Sequence, residues 1–255
     1  MVPKRFGLAR VISKMGYCSR SQATSLILGN RVRVNGSVVL DPESPVQIPR
    51  DRIEVDGSVL EKTPAVYLAM NKPRGVVTTA SDEKGRATVY DLPDNQGPSV
   101  SRKRDAWKWV APVGRLDKAS EGLLLFTNDS TWAARITDPA SHLDKVYHVQ
   151  VDCIPQPDLL ARILEGCVVD GERLLAKAAR FLRHGGKNSW LEIVLDEGKN
   201  RQIRRLLQAL QVRVLRLVRV SIGPLELGDL KKGQLRPLTA KEKQSLDGAL
   251  ERTTR

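Results

Sequence analysis

The sequence predicts an α+β protein in two parts: a small N-terminal helix-helix-hairpin module and a larger domain on a mixed, mainly antiparallel β-sheet. Three observations predict it. Residues 1 to 60 pass from helical apolar spacing to short alternating runs that meet at Asn-Gly and Asp-Gly turns. Residues 65 to 245 carry many alternating runs with few helical ones between them. Between the two lies Glu61-Lys62-Thr63-Pro64, a polar, proline-marked stretch that reads as a linker. Residues 246 to 255 read as a tail, frayed after Leu246.

With 255 residues, 41% hydrophobic and 28% charged, the chain can bury a sizeable core in one or two domains. Lys and Arg number 42 against 29 Asp and Glu, a formal charge of +13. That excess favours a polyanion, either nucleic acid or an anionic membrane. No apolar run is long enough for a bilayer, no signal-peptide core follows the basic N-terminus, and no sustained basic amphipathic helix carries aromatic anchors. Nucleic acid is the reading that remains. Aromatic residues make up only 4%, so base stacking on an aromatic platform is not the main binding device. Cys18, Cys153 and Cys167 are odd in number and lack metal spacing, which suits free thiols in a reducing cytoplasm. His142, His148 and His184 form no ligand motif, and no metal is expected.

Residues 1 to 40 hold seven basic residues and no acid: Lys4, Arg5, Arg10, Lys14, Arg20, Arg31 and Arg33. Leu8, Val11, Ile12 and Met15 share a helical face, so the spacing predicts a helix over Arg5 to Met15, ended by Gly16. Ser19-Arg20-Ser21-Gln22 has the form of a capping box, opening a second helix that buries Ala23, Leu26 and Ile27 and stops at Gly29. Arg31 to Val34 alternates as a strand, Asn35-Gly36 is a hairpin turn before Val38 to Leu40, and Ile48 to Val59 closes with further short strands. Two helices, a basic strand and an Asn-Gly turn resemble the RNA-binding module named after ribosomal protein S-four. The seven cations would then meet phosphates and orient the protein on a folded RNA. The plainer reading is a solvated basic face.

Ala65 to Met70 reads as a strand, Asn71-Lys72-Pro73-Arg74-Gly75 as a basic turn and Val76 to Thr79 as another strand. Lys72 and Arg74 are candidates for phosphate contacts, or simply turn residues. Asp94 to Arg104 reads as a loop. Trp107 and Trp109 flank the next strand, where packing is the commoner use of Trp than stacking on a base. Then comes Gly114-Arg115-Leu116-Asp117-Lys118-Ala119-Ser120-Glu121-Gly122, running into the apolar strand Leu123 to Phe126. Two glycines allow sharp turns, and Asp117 stands at a strand edge beside a cation. Read alone, the Asp is either a turn former, a structural ion pair or a positioned reactive carboxylate.

Downstream, Ser130 to Ile136 reads as a helix broken at Asp138-Pro139, and Lys145 to Val151 as a strand with Tyr147 and His148 on opposite faces. Asp158 to Leu164 is helical up to Gly166. Cys167 to Val169, Leu174 to Phe181 and Trp190 to Leu195 are strands, with His184 to Lys187 as a loop. Ile203, Leu206, Leu207 and Leu210 share a face of a helix starting near Arg201, whose free N–H groups favour an anion. From Gly198 to Val220 there are seven basic residues and no acid.

Gly114 to Asp129, Asn71 to Gly75, Thr88 to Pro93, and Glu197 to Arg205 together resemble the RsuA-type pseudouridine synthases, and the resemblance spans nearly the whole chain. It implies a synthase-type catalytic domain with a central cleft, Asp117 as the catalytic carboxylate, Tyr147 as the active-site tyrosine and Arg204 as the cation paired with Asp117. Arg205 is the weaker candidate for that pairing. Arg74, Arg115, Lys199, Arg201 and Arg205 join the RNA-contacting set. The implied reaction isomerises uridine to pseudouridine in structured RNA, with ribosomal RNA, and the large subunit within it, favoured. No dinucleotide-binding glycine motif, P-loop or metal cluster is present, in keeping with a reaction that needs no cofactor. Asp117 could open the reaction as nucleophile or as base. The alternative is a non-catalytic RNA-binding or ribosome-assembly factor, a class expected to lose the acid, the tyrosine or the arginine. A cytoplasmic monomer is expected.

Overall fold

The computed structural model describes residues 5–79, 82–92 and 109–252. Lys4, Trp107 and the expected loop at Asp94 to Arg104 lie outside them. The chain forms two compact units. The first takes in Met1–Tyr67, Pro98–Ala111 and Phe126–Trp132; the second takes in Leu68–Gly97, Pro112–Leu125 and Ala133–Arg255.

The first unit runs β1 (Phe6–Gly7), α1 (Leu8–Lys14), α2 (Arg20–Leu28), β2 (Val32–Val34), β3 (Ser37–Val38), β4 (Pro45–Val46), β5 (Ile53–Val55) and β6 (Ser58–Val59). Leu8, Val11, Ile12, Ala23, Ile27, Val32, Ile53 and Val55 close one core. Helix α1 starts later than its apolar spacing suggests, because Phe6 and Gly7 pair with Val46 and Pro45. Ser19 caps α2 reciprocally: the Gln22 N–H donates to Ser19 Oγ (3.1 Å) and the Ser19 N–H to Gln22 Oε1 (3.0 Å). Asn35 and Gly36 both take positive φ (51° and 86°), which is the geometry of a tight hairpin between β2 and β3.

The rest of the chain supplies β7 (Tyr67–Lys72), β8 (Ala111–Val113), β9 (Glu121–Thr127), α3 (Ser130–Thr137), β10 (Lys145–Val151), α4 (Leu159–Glu165), β11 (Cys167–Val169) and β12 (Glu172–Leu174). It continues with β13 (Ala178–His184), β14 (Ser189–Leu195), α5 (Gln202–Ala209), β15 (Val214–Ile222), β16 (Leu225–Glu226), β17 (Leu235–Pro237) and α6 (Ala240–Arg252). The main sheet has the order β13-β14-β10-β15-β9-β7-β17. Strands β13, β14, β10 and β15 pair antiparallel, and β9 joins β15 in parallel with Gly122 opposite Arg219. Val149, Leu191, Ile193 and Leu217 point from this sheet into a core shared with Ile203, Leu206 and Leu207 of α5.

Three expectations need correction. Val76 to Thr79 makes only an isolated bridge, Val77 to Thr88, because Thr78 turns its side chain to the Leu116 backbone instead. The stretch expected as one strand from Leu174 to Phe181 is divided between β12 and β13, and His184 ends β13 rather than lying in the loop. The segment after Leu246 is not frayed through Arg252. It belongs to α6, where Leu246 and Leu250 are an i,i+4 pair buried on one face. Thr239 and Glu242 cap that helix reciprocally, at 2.8 and 3.2 Å.

Gly122 fixes how β9 meets β15. Its φ is +103°, and a Cβ there would run into the Arg219 backbone. Gly36, at φ +86°, faces open space. Gly122→Ala should therefore lose more than about 2 kcal/mol of unfolding free energy, against about 1 for Gly36→Ala. Urea unfolding checks this, and equal losses would show that the β9–β15 approach is not tight.

Candidate active site

The site is built around the segment from Gly114 to Ser120, between β8 and β9. Its backbone is tied down from three places. The Lys72 ammonium, at the end of β7, is fully buried and donates to the carbonyls of Pro73 (3.2 Å), Asp117 (3.1 Å) and Ser120 (2.9 Å). Thr78 Oγ1 donates to Leu116 O at 2.8 Å, and the Gly75 N–H donates to Lys118 O at 2.8 Å. Leu116 is buried beneath, and Asp117 O accepts the Ser120 N–H at 2.9 Å to close the turn. The result is a fixed backbone from which the Asp117 carboxylate projects, one-third exposed.

Helix α5 borders the same place. Arg201, at its N-cap, sits with Nη1 3.7 Å from the Asp117 carboxylate. Arg204, one turn on, donates from Nη2 to Ala119 O at 2.9 Å, and its Nε is buried without a hydrogen-bond partner among the described residues. Burial, then the Arg201 charge, pulls the Arg204 guanidinium below its ordinary value, while Asp117 pushes the other way. Gln202 is buried and holds the turn before the helix through Leu175 O (2.9 Å) and Glu197 (2.6 Å).

From the sheet, Tyr147 on β10 and Arg219 on β15 stand opposite each other. Both line a cleft of about 970 Å³ together with Arg115, Asp117, Ser120 and Arg201. Arg219 is nearly buried, with Nε donating to Leu123 O at 2.8 Å. Lys145, half-buried on β10, also lines the cleft. Among the described residues, no group of three or more His, Cys, Asp or Glu could hold a metal ion.

A carboxylate on a tied-down turn and a tyrosine from the sheet line one cleft of nucleotide size. The chain matches the RNA pseudouridylate synthase family over residues 66–209 and the S4 domain over residues 6–53. It is 37% identical over 241 residues to an uncharacterized RNA pseudouridine synthase of Rickettsia prowazekii, covering 93% of this chain and 97% of that protein. It is 35% identical over 242 residues to ribosomal large subunit pseudouridine synthase B of Bacillus subtilis, covering 94% of each. A crystal structure of a pseudouridylate synthase superposes with a TM-score of 0.62 at 31% identity, over 94% of this chain and 99% of that one. The chain belongs to the RNA pseudouridylate synthase family. The protein is an RNA-binding pseudouridine synthase that isomerises uridine in RNA, and the α+β architecture with a small N-terminal S4 region agrees with it.

The synthase site brings together Asp117, Tyr147, Arg115 and Arg201 as lining residues, with Arg204 one layer behind. Three assignments from sequence need correction. The ion pair of Asp117 is with Arg201, whereas Arg204 holds the backbone of Ala119. Arg205 does not approach Asp117; it is bound to Glu172 at 2.6 Å and to Val169 O at 2.9 Å, across the β11–β12 hairpin. Lys72 is not at hand for phosphates, because it is interior and spends its three protons on carbonyls. Lys199, held by Glu197 (2.8 Å) and Arg173 O (2.9 Å), lines the cleft. Arg5, Arg10, Lys14, Arg20, Arg33, Arg74 and Arg115 are exposed, whereas Arg31, also exposed, is paired with Asp56 at 2.7 Å. Arg10 and Lys14 both lie over the Phe6 ring. Sequence reasoning missed the Lys72 clamp, Ser120 and Arg219. A period-2 reading of β15 carried a signal for Arg219, which shares its face with Leu217.

Burial pushes the Lys72 ammonium from 10.5 down to about 8, with Asp117 and Glu121 opposing. Since the folded-state value lies below the unfolded one, the contribution of Lys72 to stability rises as pH goes from about 8 to 10.5. Loss of the proton leaves a lone pair facing one of three carbonyls, which loosens the Asp117 turn. The expected outcome is a single-turnover rate that falls through about pH 8 while RNA affinity holds. A rate that stays level across that range would contradict the role of the charged clamp.

Proposed function

We propose that the protein converts a uridine of ribosomal RNA, in the large subunit, with Asp117 as the reacting carboxylate and Tyr147 positioning the base. The observation that carries this reading is that Asp117 and Tyr147, from separate segments, line one cleft large enough for a nucleotide. The B. subtilis relative, named for the large ribosomal subunit, supports the substrate class.

In the reaction the C1′–N1 bond breaks, the base turns over, and a C1′–C5 bond forms. The C5 proton leaves and N1 gains one, so the composition of the RNA is unchanged. Asp117 faces the sugar and balances the positive charge that develops at C1′, by adding to it or by acting as base. Tyr147 lays its ring against the uracil, and its hydroxyl is placed for the C5 proton. Arg201 neutralises the carboxylate at rest, and Arg204 keeps the turn closed on α5. The uridine must leave its stack, at a cost of roughly a few kcal/mol. Phosphate contacts at Arg74, Arg115 and Arg201, and from Arg10, Lys14 and Arg20 on the N-terminal module, offset that cost. Residues 1–60 serve as the RNA-holding module, joined through 61–64 to a catalytic domain from residue 65 onward. The protein works as a single chain in the cytoplasm; among the described residues no helix is long and apolar enough to cross a membrane.

Release of tritium from RNA labelled at uracil C5 tests the reading. Wild type should release label from large-subunit ribosomal RNA. Asp117→Asn should lose at least about 10³-fold and Tyr147→Phe about 10²-fold. Equal release by wild type and Asp117→Asn would remove Asp117 from the chemistry, and release only from transfer RNA would replace the substrate.

A further inference from the structure

Arg219 has a property that the reaction as drawn does not use. It is 6% exposed, its Nε is taken by Leu123 O, and its Nη2 is buried without a hydrogen-bond partner among the described residues. Yet the residue lines the cleft, directly opposite Tyr147 in the β10–β15 register. Three carboxylates of this part of the domain are engaged elsewhere. Asp117 pairs with Arg201, Glu121 is held by Arg216 (3.0 Å) and Lys232 (2.6 Å), and Asp144 by Lys177 (2.7 Å). Its charged neighbours include two cations, Lys72 and Lys145, both of which its charge pulls down. The Ser120 hydroxyl, buried and also without a partner, lines the same cleft. Among the described residues no ion pair to Arg219 is present, and a nearly buried guanidinium with an unpartnered N–H is costly unless a ligand completes it.

The ligand has to reach the interior and present oxygen. Phosphates stay on the RNA backbone at the cleft mouth, where Arg115 and Arg201 are exposed. The base is the part that goes deep. Resting on the uridine-isomerase reading above, we propose that Arg219 receives the flipped uracil, with the cleft-lining part of its guanidinium donating to a carbonyl oxygen of the base and its charge stabilising the base when it leaves C1′. The C1′–N1 electron pair goes to N1 and spreads over O2 and O4, making a uracil anion. Arg219 keeps all its protons, so the step needs no oxidant or co-reactant. Turning the ring about its N3–C6 axis exchanges N1 with C5 and O2 with O4. A single donor therefore meets a carbonyl oxygen before and after the turn, and the anion keeps its partner throughout. Tyr147, the neighbour of Arg219 across the β10–β15 pair, restrains the ring face while it turns.

The test uses Arg219→Met, close in length but uncharged, and Arg219→Lys. Single-turnover tritium release and RNA affinity are measured on the RNA that wild type modifies. A second substrate carries 5-fluorouridine at the target, followed by nucleoside analysis, since the fluorinated ring bears negative charge more readily. Arg219→Met should bind RNA as wild type does and react about 10²- to 10³-fold more slowly, with Arg219→Lys recovering at least about tenfold. On 5-fluorouridine the Arg219→Met loss should shrink by about tenfold or more. A wild-type rate in Arg219→Met, a loss equal on both substrates, or a loss matched by weaker RNA binding would each overturn the proposal. If Arg219→Met does not fold, as read by circular dichroism, Arg219→Lys decides by the same substrate comparison. Absence of tritium release by wild type on every RNA would instead overturn the isomerase reading itself.

Discussion

The buried ammonium of Lys72 is the constraint on which the site depends. An ammonium with no access to water must place its three protons on acceptors. Here all three acceptors are backbone carbonyls, and two of them, from Asp117 and Ser120, bracket the turn that presents the carboxylate. The position of Asp117 is thus set from a strand that lies 45 residues earlier in the chain. The other fastening is Gly122, where β9 meets the backbone of β15 without room for a side chain. Between these two points the segment has little freedom, and the carboxylate can be exposed to substrate without being mobile.

Cations around the cleft divide into two layers. Lys72, Lys145 and Arg219 are interior or half-buried and act on the geometry and charge of the site. Arg74, Arg115 and Arg201 are exposed and suit a backbone of phosphates. Phosphate contacts to the outer layer would weaken with salt; the inner layer is shielded from it. Glu121, buried beside the turn, would be a liability among reacting groups but is bound by Arg216 through two bonds and by Lys232. Asp117, by contrast, has among the described residues a single ion pair, at 3.7 Å, which leaves it open to exchange partners.

Much of this was legible in the sequence. The capping box at Ser19, the Asn35-Gly36 hairpin, β10 with Tyr147 on its inner face and α5 with its apolar stripe all follow from spacing and turn chemistry, because those signals are local. What was not legible depends on contacts between distant segments. Lys72 looks like a surface turn residue next to Pro73, and only the arrival of the Asp117 turn makes it interior. Arg201 and Arg204 lie one helical turn apart, and which of them meets the carboxylate and which the Ala119 carbonyl is set by how α5 docks. Arg205 is drawn away by Glu172, a residue on a hairpin whose position no local pattern reveals. The final helix was missed for another reason: Thr239 and Glu242 form a cap whose pattern was present, and Leu246 with Leu250 completes its face.

The measurement that tests the account most directly is single-turnover pseudouridine formation by Lys72→Met at neutral pH, with folding checked by circular dichroism and RNA affinity measured alongside. Methionine fills the space but donates to none of the three carbonyls. The account predicts a folded protein with unchanged RNA affinity and a rate lower by about 10²-fold, from displacement of the Asp117 turn. A folded Lys72→Met that reacts at the wild-type rate would contradict it.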